Sequence, residues 1–181
     1  MDLSKSIPRL ALATGLLLLI PLVAMQFTTA VNWTLSDFVF AGILLFGAGL
    51  TFVLIARTGD NTAYKLAVGV AVAAGLLLVW DNLAVGFIGS EDNPANLLYG
   101  GVLAVGFVGA IGARLRPLGM AKALFATALT QFFVPFVAML IWQPALNQGV
   151  MLVVVLNTAF AGLWVASGLL FRRAAPTRQL A

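Results

Sequence analysis

The sequence predicts an all-α membrane protein, a bundle of six transmembrane helices with both termini on the cytoplasmic side. Three observations carry that expectation. Of the 181 residues 62% are hydrophobic and only 9% charged, against about half and about a quarter in soluble domains. Several apolar runs reach the roughly 20 residues that a helix needs to cross a bilayer. All ten Lys and Arg residues fall on one side of a six-span reading, the asymmetry expected of cytoplasmic loops.

In chain order the spans are read at Leu10–Ala30, Phe38–Ala56, Leu66–Ile88, Ala95–Ala113, Gly119–Trp142 and Val150–Phe171. The linkers are short, so the chain is taken as a single transmembrane domain, residues 1–181. Lys5 and Arg9 precede the first span, and Arg57 and Lys65 separate the second from the third. Arg114, Arg116 and Lys122 lie between the fourth and fifth, and Arg172, Arg173 and Arg178 follow the sixth. The net charge of +4 therefore reports topology and contact with lipid head groups, and no nucleic-acid partner is expected. The first span also fits a cleavable signal peptide, with Lys5 and Arg9 before an apolar core and small residues at Thr28 to Ala30. Retention is the favoured reading, and cleavage would leave five spans in the same orientation.

Several polar clusters read as helix starts. Thr34-Leu-Ser-Asp37 has the spacing of a capping box before the second span. Asn93 stands before Pro94, a good N-cap before a proline at the first helical position. The cluster Asp60-Asn61-Thr62 is placed to start the third span in the same way, and Asn147 the sixth. Asn32-Trp33-Thr34 formally matches a glycosylation acceptor, a motif too short to carry weight. Small residues at helix-packing spacing (Gly69 and Ala73, Gly162 and Ala166, and the run Gly106, Gly109, Gly112) predict close helix approach. Phe40-Ala-Gly-Ile-Leu resembles Tyr99-Gly-Gly-Val-Leu 59 residues on. Three repeated hairpins would explain this, but glycine-rich apolar helices resemble one another anyway, and that is the favoured account.

The absence of cysteine and histidine excludes disulfides, thiol redox chemistry, ordinary haem or zinc ligation and Ser–His or Cys–His catalysis. No cofactor and no metal are expected, although oxygen ligands for calcium or sodium remain available. Function would then reside in polar groups at membrane depth. Asp81 lies about two turns below the outer end of the third span if that helix continues to Ile88. Gln131 falls near the middle of the fifth span and Asn157 inside the sixth. Gln131, Pro135, Ala138 and Trp142 share one face, and Asn157, Ala161, Trp164 and Gly168 share another. An Asp costs about 2.5–3.5 kcal/mol at a span centre, and each Leu, Ile, Val or Phe returns roughly 0.3–0.6, so the third span still inserts. Three readings of Asp81 stay open: an ion or proton site with Asn82, Gln131 and Asn157, a neutral bundle contact, or a helix ending near Asp81 with Asn82–Ser90 as an interfacial segment. Glu91 and Asp92 form an acidic cluster at the outer mouth, and a solvated loop leading into a cap is its plainer reading.

The run from Gly89 to Gln131, GSEDNPANLLYGGVLAVGFVGAIGARLRPLGMAKALFATALTQ, resembles a stretch of small multi-pass bacterial inner-membrane proteins of unknown function. The resemblance implies a bacterial inner-membrane location and brings no ligand or catalytic residue. The favoured function is a nonenzymatic integral membrane protein packing with itself as a homo-oligomer, with a membrane protein partner, or with lipid. The alternative is a small transporter or channel with an outward-facing polar site around Asp81. An enzyme ranks third, because one intramembrane acid has no evident partner.

Overall fold

The computed structural model describes residues 3–176; Arg178 lies outside them. The described residues are helical, with six helices long and apolar enough to cross a membrane. These are α1 (Leu3–Phe27), α2 (Leu35–Ala56), α3 (Thr62–Ala84), α4 (Leu98–Gly112), α5 (Pro117–Trp142) and α6 (Gln148–Ala174), with a short 3-10 turn at Pro94–Leu97 leading into α4. By its contacts the chain divides into two compact units, Met1–Arg57 and Thr58–Ala181.

The first unit is the α1–α2 hairpin. Its helices pack closely at Gly49, where an added Cβ would collide with the Leu10 side chain. At the start of α2 the Asp37 carboxylate accepts the Thr34 N–H at 2.7 Å and the Thr34 hydroxyl at 2.8 Å, which satisfies a backbone donor that a helix start leaves open. Helix α1 begins earlier than expected and takes Lys5 and Arg9 into its first turns. Together with Arg57 after α2, they lie at one end of the hairpin.

The second unit is a four-helix arrangement whose packing order differs from its order in the sequence. Helix α3 packs on α6, α6 on α5 and α5 on α4, while α3 and α4 barely meet. Three repeated hairpins would have paired α3 with α4, so this packing favours chance resemblance among the spans. Glycine sets the close approaches. A Cβ at Gly109 would stand 2.6 Å from Ala123 Cβ, and one at Gly168 would stand 2.8 Å from the Phe125 ring. Gly112 and Gly162, read as packing positions from their spacing, have open space where a Cβ would sit. Spacing marks the stripe but not which of its members a neighbour covers.

Asparagine caps fix the ends. Asn61 accepts the Tyr64 N–H at 2.8 Å and donates to the Ala174 carbonyl at 3.0 Å, which ties the start of α3 to the end of α6. Asn147 accepts the Val150 N–H at 3.0 Å at the start of α6, and Asn93 accepts the Ala95 N–H at 2.9 Å. Lys65, Arg114, Arg116, Lys122, Arg172 and Arg173 lie toward one end of this unit, and Glu91 and Asp92 lie at the other.

The third span stops at Ala84 rather than Ile88. The Val85 and Gly86 N–H groups both return to the Asp81 carbonyl, at 3.1 and 3.0 Å. Gly86 then takes φ 75°, where a Cβ would run into the Ser90 backbone. That conformation is open to glycine at little cost, and it turns the chain into the loop before Asn93. Asn96 organises this loop, accepting the Ile88 N–H at 2.9 Å and donating to the Ser90 carbonyl at 2.7 Å.

Candidate functional site

The helix end moves Asp81. It stands in the last turn of α3, three residues from Ala84, about 4.5 Å along the axis, rather than two turns deep. Its side chain is half-buried and makes no hydrogen bond or ion pair among the described residues. Of the three readings, this geometry matches the one in which the helix ends near Asp81.

Gln131 and Asn157 are brought together as their faces suggest. Gln131 Nε2 donates to Asn157 Oδ1 at 2.8 Å, and both side chains are fully buried. Asn157 Nδ2 donates twice, to the Tyr99 hydroxyl and to the Val153 carbonyl, each at 2.8 Å. One amide thus ties α6 to α5 and α4 while also bonding back to its own helix. Every donor and acceptor of Asn157 that points away from its backbone has a protein partner. Gln131 is less complete: its Oε1 is buried without a hydrogen-bond partner among the described residues. Pro135 sits one turn later in α5 and has no N–H to give the Gln131 backbone carbonyl.

Of the predicted faces, Gln131, Pro135 and Ala138 are buried, as are Asn157, Ala161, Trp164 and Gly168. Trp142 departs from its set and is 44% exposed at the end of α5. The sequence gives Tyr99 a place in a possible repeat but no role in a polar site. The chain has only two tyrosines, and a tyrosine buried in an apolar helix needs a partner for its hydroxyl; that scarcity was the available signal. Aromatic packing surrounds it, with the Phe87 ring 5.0 Å from Tyr99 and 5.2 Å from Phe160.

At the acidic end, α3 and α4 splay and leave a cavity of about 480 Å³. Leu78, Val79 and Leu83 of α3 and Leu97, Gly100 and Leu103 nearby form its apolar walls. Asn82, Glu91, Asp92, Asn93 and Asn96 supply its polar groups, and Tyr99 also lines it. Glu91 and Asp92 are exposed and form the rim, whereas Tyr99 is 1% exposed. Asn82 Nδ2 donates to the Leu78 carbonyl at 3.2 Å, and its Oδ1 is buried without a partner among the described residues. The helices close again further in, where a Cβ on Gly75 would meet Leu103 at 4.0 Å and the Trp164 ring at 3.7 Å.

The predicted site residues therefore separate. Asn82 joins Glu91 and Asp92 around the cavity, Gln131 joins Asn157 in the core, and Asp81 belongs to neither group. Tyr99 is the link, lining the cavity while bonded to Asn157. Among the described residues no group of three or more His, Cys, Asp or Glu side chains is placed to hold a metal ion. The chain matches no family model, no curated protein and no solved structure, so the resemblance read over residues 89–131 gains no support from them.

Proposed function

We propose that the chain is a nonenzymatic integral membrane protein that holds an amphiphile of the bilayer between α3 and α4. The carrying observation is the cavity of about 480 Å³ at the acidic end, within the 300–1,000 Å³ usual for small-ligand sites. Its leucine and valine walls suit a hydrocarbon tail. Its polar rim, with the unpartnered Asn82 Oδ1, suits a head group carrying hydrogen-bond donors. Binding is favoured over transport because the polar groups expected to form a path are divided, with both Asn157 donors engaged by protein and Asp81 standing apart. The placement in a bacterial inner membrane rests on the resemblance alone.

Gly100 supplies the test. It lines the cavity, and a Cβ there meets nothing within 4 Å, so Gly100→Trp fills the space without a built-in clash. Gly101 has the same open surroundings but does not line the cavity, and Gly101→Trp is the control. Native mass spectrometry of protein released from its membrane should show one retained lipid-sized adduct in the parent and in Gly101→Trp. Its occupancy should fall at least tenfold in Gly100→Trp. Equal occupancy in all three proteins would remove the cavity as its site.

A further inference from the structure

The opposite end of the four-helix unit holds a second cavity, of about 390 Å³, with different chemistry. Arg114 and Arg116 line it from the turn between α4 and α5, facing Thr58, Asp60 and Tyr64 from the start of α3. The turn is held in an unusual shape. Arg114 and Leu115 both take positive φ, 49° and 56°, without being glycine. The Tyr64 hydroxyl donates to the Leu115 carbonyl at 2.9 Å and lies 2.9 Å from Thr58 Oγ1. Tyr64 itself is 2% exposed and packs edge-on against Phe171 at 5.1 Å. A buried side chain from one helix therefore fixes the backbone from which both arginines project.

Neither guanidinium makes a hydrogen bond or ion pair among the described residues. Among the described residues Asp60 is the one carboxylate lining the cavity, set against the two arginines, so those side chains leave it net positive. Guanidinium presents planar pairs of donors that match phosphate oxygens. Basic pockets between helices at membrane depth suit phosphorylated head groups, and α5 begins at Pro117 on the same cavity, adding the positive end of its dipole.

We infer that this cavity binds a phosphate ester through Arg114 and Arg116, supplied by an anionic lipid head group or by a soluble phosphate. The site is independent of the amphiphile cavity at the acidic end, and either can fail without the other.

The test removes two charges from the same end of the protein in two ways. Arg114→Gln with Arg116→Gln strips the cavity, whereas Arg172→Gln with Arg173→Gln strips arginines that do not line it. Purified protein in a neutral detergent is titrated with short-chain phosphatidylglycerol, with short-chain phosphatidylcholine and with inorganic phosphate, and adducts are counted by native mass spectrometry. The parent should bind phosphatidylglycerol at least tenfold more tightly than phosphatidylcholine. The Arg114/Arg116 variant should lose that preference, the Arg172/Arg173 variant should keep it, and Asp60→Asn should strengthen it several-fold. Displacement of the lipid by an equal concentration of inorganic phosphate identifies a soluble ligand, and resistance to displacement identifies the lipid. Arg114→Lys with Arg116→Lys keeps the charge and should retain part of the preference even if the glutamine pair folds poorly. Absence of preference in the parent, or equal loss in both glutamine pairs, would overturn the assignment.

Discussion

Asn157 and Asp81 are both polar residues inside apolar spans, and the molecule treats them in opposite ways. Asn157 is fully buried with three hydrogen bonds reaching α4, α5 and its own helix. Asp81 sits one turn from a helix end, half-buried and without a protein partner for its carboxylate among the described residues. The deeper residue is the neutral one, whose hydrogen-bonding capacity neighbouring helices can meet completely. The ionisable one lies where its charge can reach the interface. This is the division expected when desolvation of a charge costs far more than desolvation of an amide. It also shows that a polar residue in a span becomes a site candidate through the company it keeps, not through its character alone.

The sharpest way to break this contrast is Asn157→Ala. It removes the partners of Gln131 Nε2 and the Tyr99 hydroxyl together, and unfolding in mixed detergent should show a loss of about 2–3 kcal/mol. A loss under about 0.5 kcal/mol would mean that the amide ties little. Tyr99→Phe cuts one bond of the same chain and should cost about 0.6 kcal/mol, the average for interhelical hydrogen bonds in membranes, readable as a shift in thermal melting. Gln131→Leu gives up one hydrogen bond but also removes the unpartnered Oε1, so its equilibrium stability should change by less than about 0.5 kcal/mol. If it instead matches Asn157→Ala, the Oε1 has a partner that the packing conceals. Asp81→Asn should fall within about ±0.5 kcal/mol of the parent in the same unfolding assay, as surface substitutions do. A larger loss would place Asp81 with the core residues after all.

The six spans were legible because hydrophobic length is a strong signal and each helix carries about a bilayer's thickness of apolar residues. The asparagine caps at Asn93 and Asn147 were legible for a local reason, since the donor they satisfy is three or fewer residues away, and the cluster Asp60-Asn61-Thr62 was legible as a helix start without singling out Asn61 as its cap. Gln131 and Asn157 could be placed on inward faces because helical periodicity carries over several turns. The end of α3 was not legible in the same way. Val85, Phe87 and Ile88 continue the apolar run, and only the left-handed Gly86 ends the helix. Tyr99 escaped because its role depends on a neighbour 58 positions away in the chain.

The packing order α3–α6–α5–α4 has a consequence for biogenesis. Helix α3 finds its main neighbour only in the last of the six helices to be synthesised: the Ser167 hydroxyl reaches back to the Ala67 carbonyl across 100 residues, and Asn61 reaches forward to Ala174 across 113. While the ribosome is still making α4 and α5, α3 must wait in the lipid or in the insertion machinery with Ala67 and its neighbours uncovered. Arrival of α6 then completes the contacts of both α3 and α5 in one event. Assembly of this unit is a closing step that waits for α6, and a nascent chain stalled before Gln148 would leave the α6-facing surface of α3 uncovered.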